Sequence, residues 1–213
     1  MKVFDLTGTL AEGMWDYGEP FVPYSMNRIS SFEEDEYIAS KIVMTTHTGT
    51  HVDCTRHFGE QRKSITEIDV SSFIGKGRLV NIAGICRQGE PITVEMLQAG
   101  GADNVQPGEM CILRTDWSKK WNQEGYDSDY PYMSVEAVEY LRDKKIKFFG
   151  CDIPIIGDPH SIAADMVLCE AEIPSAYALV DLDKLPEEFM FSALPLKIEA
   201  GDGSPVRAIA WID

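Results

Sequence analysis

Three of the chain's four histidines fall inside one short run, Thr45-Thr46-His47-Thr48-Gly49-Thr50-His51-Val52-Asp53-Cys54-Thr55-Arg56-His57-Phe58. That run limits what the chain can fold into more than any other feature. His47, Gly49, His51, Asp53 and His57 all hold odd positions, so a fully extended strand sets them on one face. Sharing one ion is a stricter demand. At about 3.3 Å per residue, His47 and His51 of a straight strand stand roughly 13 Å apart, against ligand bonds of about 2 Å. The chain must therefore bend between them, and Gly49 accepts the backbone angles of such a bend. Once bent, two imidazoles and the Asp53 carboxylate make a ligand set for Zn²⁺, Mn²⁺ or Fe²⁺ with positions left for water and substrate. His57 is then close enough to move protons without binding the ion. The plain alternative is a set of hydrogen-bonded histidines, and the clustering of three of them with an aspartate favours metal over that. A Cys54 nucleophile paired with His51 or His57 is the weaker reading, because such close sequence neighbours rarely reach the needed geometry; an inert buried thiol is expected.

Composition narrows the partners. Nineteen basic against thirty-five acidic residues leave a formal charge of −16, which argues against nucleic acid or an anionic membrane surface as partner. A chain of 213 residues at 44% hydrophobic can bury a full core, and it reads as a single domain spanning 1–213. Five cysteines without a CxxC pair indicate neither a disulfide framework nor a zinc knuckle and fit a reducing compartment. The first residues carry Asp5 where a signal peptide needs an unbroken apolar run, and no uncharged apolar stretch reaches membrane-spanning length. The expected location is the cytoplasm.

Along the chain, Val3 to Leu6 reads as a buried strand, followed by a long loop carrying Trp15, Tyr17, Phe21 and Tyr24, a lid or an oligomer contact in this reading. Ile42 to Met44 leads as a strand into the histidine run. Ile65 to Ile74 suggests helical turns closed by Gly75 and Gly77, and Leu79 to Ile85 a strand. Thr93 caps a helix running to Gly100, and Met110 to Arg114 is a buried strand. Residues 117–131 read as a surface loop, and Ser134 opens the clearest helix. A strand at Phe148 to Asp152, a helix over Ser161 to Cys169, and strands at Tyr177 to Val180, Phe189 to Leu194 and Val206 to Ile212 complete the pattern. Residues 201–205 form the turn before the last of these. Strands interleaved with few helices predict an α/β domain with a mixed sheet.

The run His47-Thr48-Gly49-Thr50-His51-Val52-Asp53 with His57-Phe58 resembles the HxGTHxDxPxHF signature of the cyclase family, the kynurenine formamidase-like and isatin hydrolase-like metal-dependent hydrolases. Asp5-Leu6-Thr7, Leu113-Arg114-Thr115-Asp116-Trp117, Gly150-Cys151-Asp152, Ala193 to Lys197 and Gly203 to Ala208 are similar to the family's landmarks, in its order. The resemblance implies a swivelling β/β/α fold, a homodimer or homotetramer, and hydrolysis of a small-molecule amide, lactam or ester. It makes His47, His51 and Asp53 ligands of a divalent ion, zinc or manganese, His57 the catalytic acid or base, and Trp15 a substrate-lining aromatic. The chain also departs from the pattern. Thr55 replaces the signature proline, and Arg56 beside it either holds a substrate carboxylate or turns to solvent. A second His and Glu, which complete the metal sites of family members, fall at or next to Met166 and Ala178. Asp165 and Tyr177 are the nearest polar neighbours; His160, Glu170 and Glu172 serve only if the loop is rebuilt. Two competing readings follow: a degenerate member that binds a metal or small acid without hydrolysis, and a lyase or true cyclase using the same metal.

Overall fold

The central strands are buried along nearly their whole length, and successive side chains enter two apolar cores on opposite faces of the sheet. The computed structural model describes residues 1–213. In chain order the strands are β1 (Lys2–Asp5), β2 (Ser25–Arg28), β3 (Ser40–Val43), β4 (His51–Asp53), β5 (Ile74–Asn81), β6 (Pro91–Ile92), β7 (Met110–Arg114), β8 (Tyr132–Met133), β9 (Phe148–Cys151), β10 (Ser175–Tyr177), β11 (Glu188–Ser192), β12 (Gly203–Pro205) and β13 (Ile209–Ile212). The helices are α1 (Phe32–Asp35), α2 (Val94–Ala99), α3 (Val135–Asp143) and α4 (Ala163–Glu170).

Nine strands form one mixed sheet in the order β1-β13-β11-β5-β7-β9-β10-β4-β12. β5, β7, β9 and β10 run parallel, and the flanking pairs are antiparallel. Just past β1, Thr7 bridges Leu179, and the Val180 amide donates to the Leu6 carbonyl. The edge carrying β1 thus returns to the β10 side, and the sheet is a curled one. Within β7, Met110 and Ile112 join the core on one face with Phe148, Val52 and Phe191. Cys111 and Leu113 join the other, where α2, α3 and α4 cover the sheet with Leu97, Val138, Leu141 and Leu168. Burying each such side chain contributes about 1.5–3 kcal/mol before the entropic cost of ordering it.

The helix caps follow the sequence closely. Thr93 accepts from the Met96 amide and Ser134 from the Ala137 amide, each satisfying a donor that a helix start leaves open. Three expectations are corrected. Gly75 and Gly77 do not end the turns at 65–73 but lie inside β5. A Cβ at Gly77 would sit 2.4 Å from the Phe189 ring, so the glycine is there for close packing. Residues 117–131 are not a surface loop throughout: Tyr126 and Tyr130 are fully buried, and the Trp117 indole donates to the Tyr126 carbonyl at 2.8 Å. Residues 203–205, expected in a turn, are strand β12 and pair with β4, Gly203 opposite Asp53 and Pro205 opposite His51. That last pairing builds the site.

Candidate metal centre

β4 lies between β10 and β12, so its alternation has opposite consequences for neighbouring residues. Val52 is wholly buried in the apolar core, while His51 and Asp53 face the other way into a cavity of about 610 Å³. The preceding turn folds at Gly49, whose φ is +63° and whose added Cβ would meet Leu10 at 2.7 Å. The bend required by the spacing of the histidines is there, and it returns His47 to Asp53. His47 Nδ1 lies 2.7 Å from Asp53 Oδ1, and His51 Nε2 lies 3.4 Å from the same oxygen. His51 Nδ1 donates to the Gly49 carbonyl at 2.8 Å, which fixes the ring with Nε2 toward Asp53. One donor atom from each of His47, His51 and Asp53 lies within 4.8 Å of the others.

Asp202, missed in the sequence, joins this group from the residue before β12. Its Oδ2 accepts from His47 Nε2 at 2.9 Å and stands 3.5 Å from His57 Nδ1. Gly203 makes the approach possible, since a Cβ there would lie 2.8 Å from His47 Cε1 and 2.7 Å from the Val52 carbonyl. The available signal was an aspartate between two glycines at the edge of a landmark, but its partner stands 155 positions away.

Charge organises the cluster. Burial opposes a charged His47, but the Asp53 and Asp202 carboxylates outweigh it and raise the imidazole to about 10. Burial likewise opposes Asp53, and the two histidines nonetheless hold it far below the usual carboxylate range. His47 holds Asp202 below that range too. His57 is shifted the other way, with burial pushing its imidazole below the ordinary value. It lies on the short turn Thr55–Phe58, its side chain 30% exposed at the cavity wall. Burial and the nearby Asp53 charge push Asp165 up to about 7.

Other expected residues divide between the cavity and elsewhere. Asp165 on α4, Tyr177 on β10 opposite His51, and His160 all line the cavity. Glu170 and Glu172 do not: both are exposed, and Glu172 pairs with Lys63 at 2.6 Å. Arg56 does not reach the cavity, because its guanidinium donates to the Glu60 carbonyl at 2.6 Å. Trp15 is also absent from the lining. It packs against Trp121 and Tyr126 behind Tyr17, and Tyr17 and Phe21 take the wall. Cys54 is buried, donates to the Asp202 carbonyl at 3.1 Å, and is raised by burial to about 11, an inert thiol. Asp152 accepts from the Thr115 amide and hydroxyl and the Asp116 amide, tying together two of the landmarks at the ends of β7 and β9.

A curled mixed sheet with two histidines and an aspartate converging on a cavity defines an α/β protein with a candidate metal centre. The chain belongs to the Cyclase family, whose family model matches residues 4–157. It is 30% identical over 172 residues to kynurenine formamidase from Bacillus cytotoxicus, covering 79% of this chain and 78% of the relative. Isatin hydrolase A from Ralstonia solanacearum superposes with a TM-score of 0.90 at 25% identity, over 100% of this chain and 92% of that one. An isatin hydrolase bound to the product analogue thioisatinate gives 0.89 at 25% identity, over 99% and 92%.

Proposed function

We propose that this chain is a divalent-metal-dependent hydrolase of a small amide, lactam or ester, with one zinc or manganese ion held by His47, His51 and Asp53. The observation that carries this reading is the convergence of those three buried donors on one cavity. Donors about 2.0–2.2 Å from one ion lie within about 4.4 Å of each other, and the pairs at 2.7 and 3.4 Å meet that test. Two imidazoles and a carboxylate suit both metals. Similarity to kynurenine formamidase and to isatin hydrolases supports an amide or lactam C–N bond as the target. A second resident ion is not part of the proposal, because Met166 carries no ligand atom suited to it and the Ala178 carbonyl already accepts from Thr50 at 2.7 Å.

When bound, the ion supplies Lewis-acid polarisation of the scissile carbonyl and acidifies water. His57 moves the proton: its lowered pKa leaves the ring neutral near pH 7, ready to accept at Nε2 while Nδ1 faces Asp202. Asp202 orients that ring, and Tyr17 and Phe21 shape the apolar wall. Tyr17 is anchored by its hydroxyl donating to the Pro154 carbonyl at 2.7 Å.

No helix is long and apolar enough to cross a membrane. Five unpaired cysteines support a cytoplasmic location. As partner we propose a second copy of the chain, in a homodimer or homotetramer, seated on the hairpin β2–β3 and α1. There Met26, Phe32 and Ile42 leave at least half of their surface in solvent; light scattering gives the mass. The function is tested by stripping the protein with a chelator, reloading Zn²⁺ or Mn²⁺, and assaying N-formylated aromatic amines, lactams and lactones. Expected are about one ion per chain and turnover that returns only with metal. Stoichiometry far below one ion at saturation, or full turnover without metal, overturns it.

A further inference from the structure

Asp202 precedes β12 in a turn, where an aspartate side chain ordinarily bonds to the turn itself. Here the backbone holds the turn instead. The Cys54 amide donates to the Asp202 carbonyl at 3.1 Å, and the Ile65 amide to the Gly201 carbonyl at 2.9 Å. The carboxylate is left for side chains. Its Oδ1 accepts from the Thr46 hydroxyl at 2.9 Å, while its Oδ2 stands 2.9 Å from His47 Nε2 and 3.5 Å from His57 Nδ1. The last length is common for catalytic hydrogen bonds outside the reacting complex. The two rings thus meet at one oxygen, their centroids 4.1 Å apart. His47 cannot give both nitrogens to ions, since a neutral imidazole has one acceptor nitrogen and one N–H. Nδ1 is the nitrogen that faces Asp53, at 2.7 Å, so Nε2 carries the hydrogen and Asp202 receives it. His51 is arranged in the same way, with Nδ1–H donating to the Gly49 carbonyl and Nε2 turned to Asp53.

We propose that Asp202 is a positioning residue for two rings at once: through a single carboxylate oxygen it fixes His47 as a metal ligand at Nδ1 and His57 as a proton carrier with Nε2 free. This assignment rests on the hydrolase reading for what the two rings do. A partner on the far nitrogen of a ligating histidine fixes its tautomer and raises its basicity, and losing that partner costs about 10–100-fold in metal affinity or activity. A carboxylate fills this place more strongly than a neutral acceptor. On His57 the same oxygen selects the tautomer that can accept a proton, as an aspartate does behind any histidine base. Thr46 supplies the bond that keeps the carboxylate from swinging outward, its side chain being 40% exposed. Loss of Asp202 therefore acts by two separable routes, on metal affinity through His47 and on proton transfer through His57.

Zinc affinity, ring tautomers and turnover are measured separately. The chain has four histidines, so NMR of the zinc-loaded protein with nitrogen-15-labelled imidazoles resolves each ring. Wild type is expected to show His47 bound at Nδ1 with its hydrogen on Nε2, His51 the reverse, and His57 unbound with its hydrogen on Nδ1. Asp202→Asn should turn His57 into a mixture of tautomers and weaken zinc about tenfold or more against a chelating dye, with the far-ultraviolet spectrum unchanged. Thr46→Val, which loosens the carboxylate without removing it, should weaken zinc about threefold. At saturating zinc, Asp202→Asn should lower kcat on an N-formylated aromatic amine about tenfold or more, with KM within about twofold. In a His57→Ala background it should still weaken zinc but cost less than about twofold further in kcat. Zinc affinity within about twofold of wild type in Asp202→Asn, His47 or His57 in the opposite tautomer in wild type, or kcat losses that multiply in the double variant each overturn the proposal. So do two zinc ions per chain in wild type and one in Asp202→Asn, which makes Asp202 a ligand. The expected tautomers and the weakened zinc, without cleavage of any amide, lactam or lactone by wild type, uphold the positioning role and sink the hydrolase reading instead.

Discussion

The cavity has two walls built on different terms. The wall from residues 47–57 is short in sequence, buried, and internally paired: Asp53 serves His47 and His51, and Asp202 serves His47 and His57. The wall from residues 127–177 is gathered from separate loops, α4 and β10, and its polar groups are less committed. Tyr130 lacks a partner, and Asp165 is raised to about 7. A wall whose groups satisfy one another holds a fixed geometry at low cost, which suits a reaction centre. A wall whose groups are left open keeps its bonding capacity for a ligand, which suits choice of substrate. The two need not change together, and members of one family can keep the first while varying the second.

The largest effect that would break this comparison is at the first wall. His51→Ala should remove bound metal and lower turnover at least a hundredfold, read by metal analysis beside a hydrolysis assay; metal retained at wild-type stoichiometry would deny His51 its role. His57→Ala should keep the metal and cost about 10²–10⁴ in kcat, and normal turnover would remove it from proton transfer.

The metal-free first wall should also carry a pH signature in thermal unfolding. Asp53 and Asp202 have folded-state values below their ordinary ones, so their stabilisation is full above the unfolded value of about 4 and is lost as pH falls. His47 is raised to about 10, so its stabilisation is full below about 6.5 and is lost as pH climbs from there through about 10. The midpoint of the stripped protein should therefore be highest between about pH 4 and 6.5, and His47→Gln should flatten the alkaline limb. A limb of unchanged slope would place the titration elsewhere. Arg56→Ala is the smallest change, less than about twofold in kcat/KM, because the side chain is spent on the Glu60 carbonyl. A tenfold loss would return Arg56 to the substrate.

Much of the fold was legible because its signals are local. The buried strand Met110–Arg114, the caps at Thr93 and Ser134, and the apolar strand Phe148–Cys151 depend on neighbours a few residues apart. The turns at 65–73 ran wrongly into Gly75 and Gly77 because a glycine that ends a helix and one that admits a distant phenylalanine look alike in sequence. Trp15 and Tyr17 were likewise indistinguishable within one aromatic loop until packing sent one behind the other.

For the site, the run His47-Thr48-Gly49-Thr50-His51-Val52-Asp53 already contained its own geometry. The ligand spacing demanded a bend, one residue could make it, and the three donors lie within a few positions of each other. Asp202, Asp127, Asp158 and Tyr130 were beyond such reasoning. They reach the same cavity only after β12 pairs with β4 and the loops beyond β7 and β9 close over it, and side chains so far apart in sequence meet through long-range packing that no local pattern encodes.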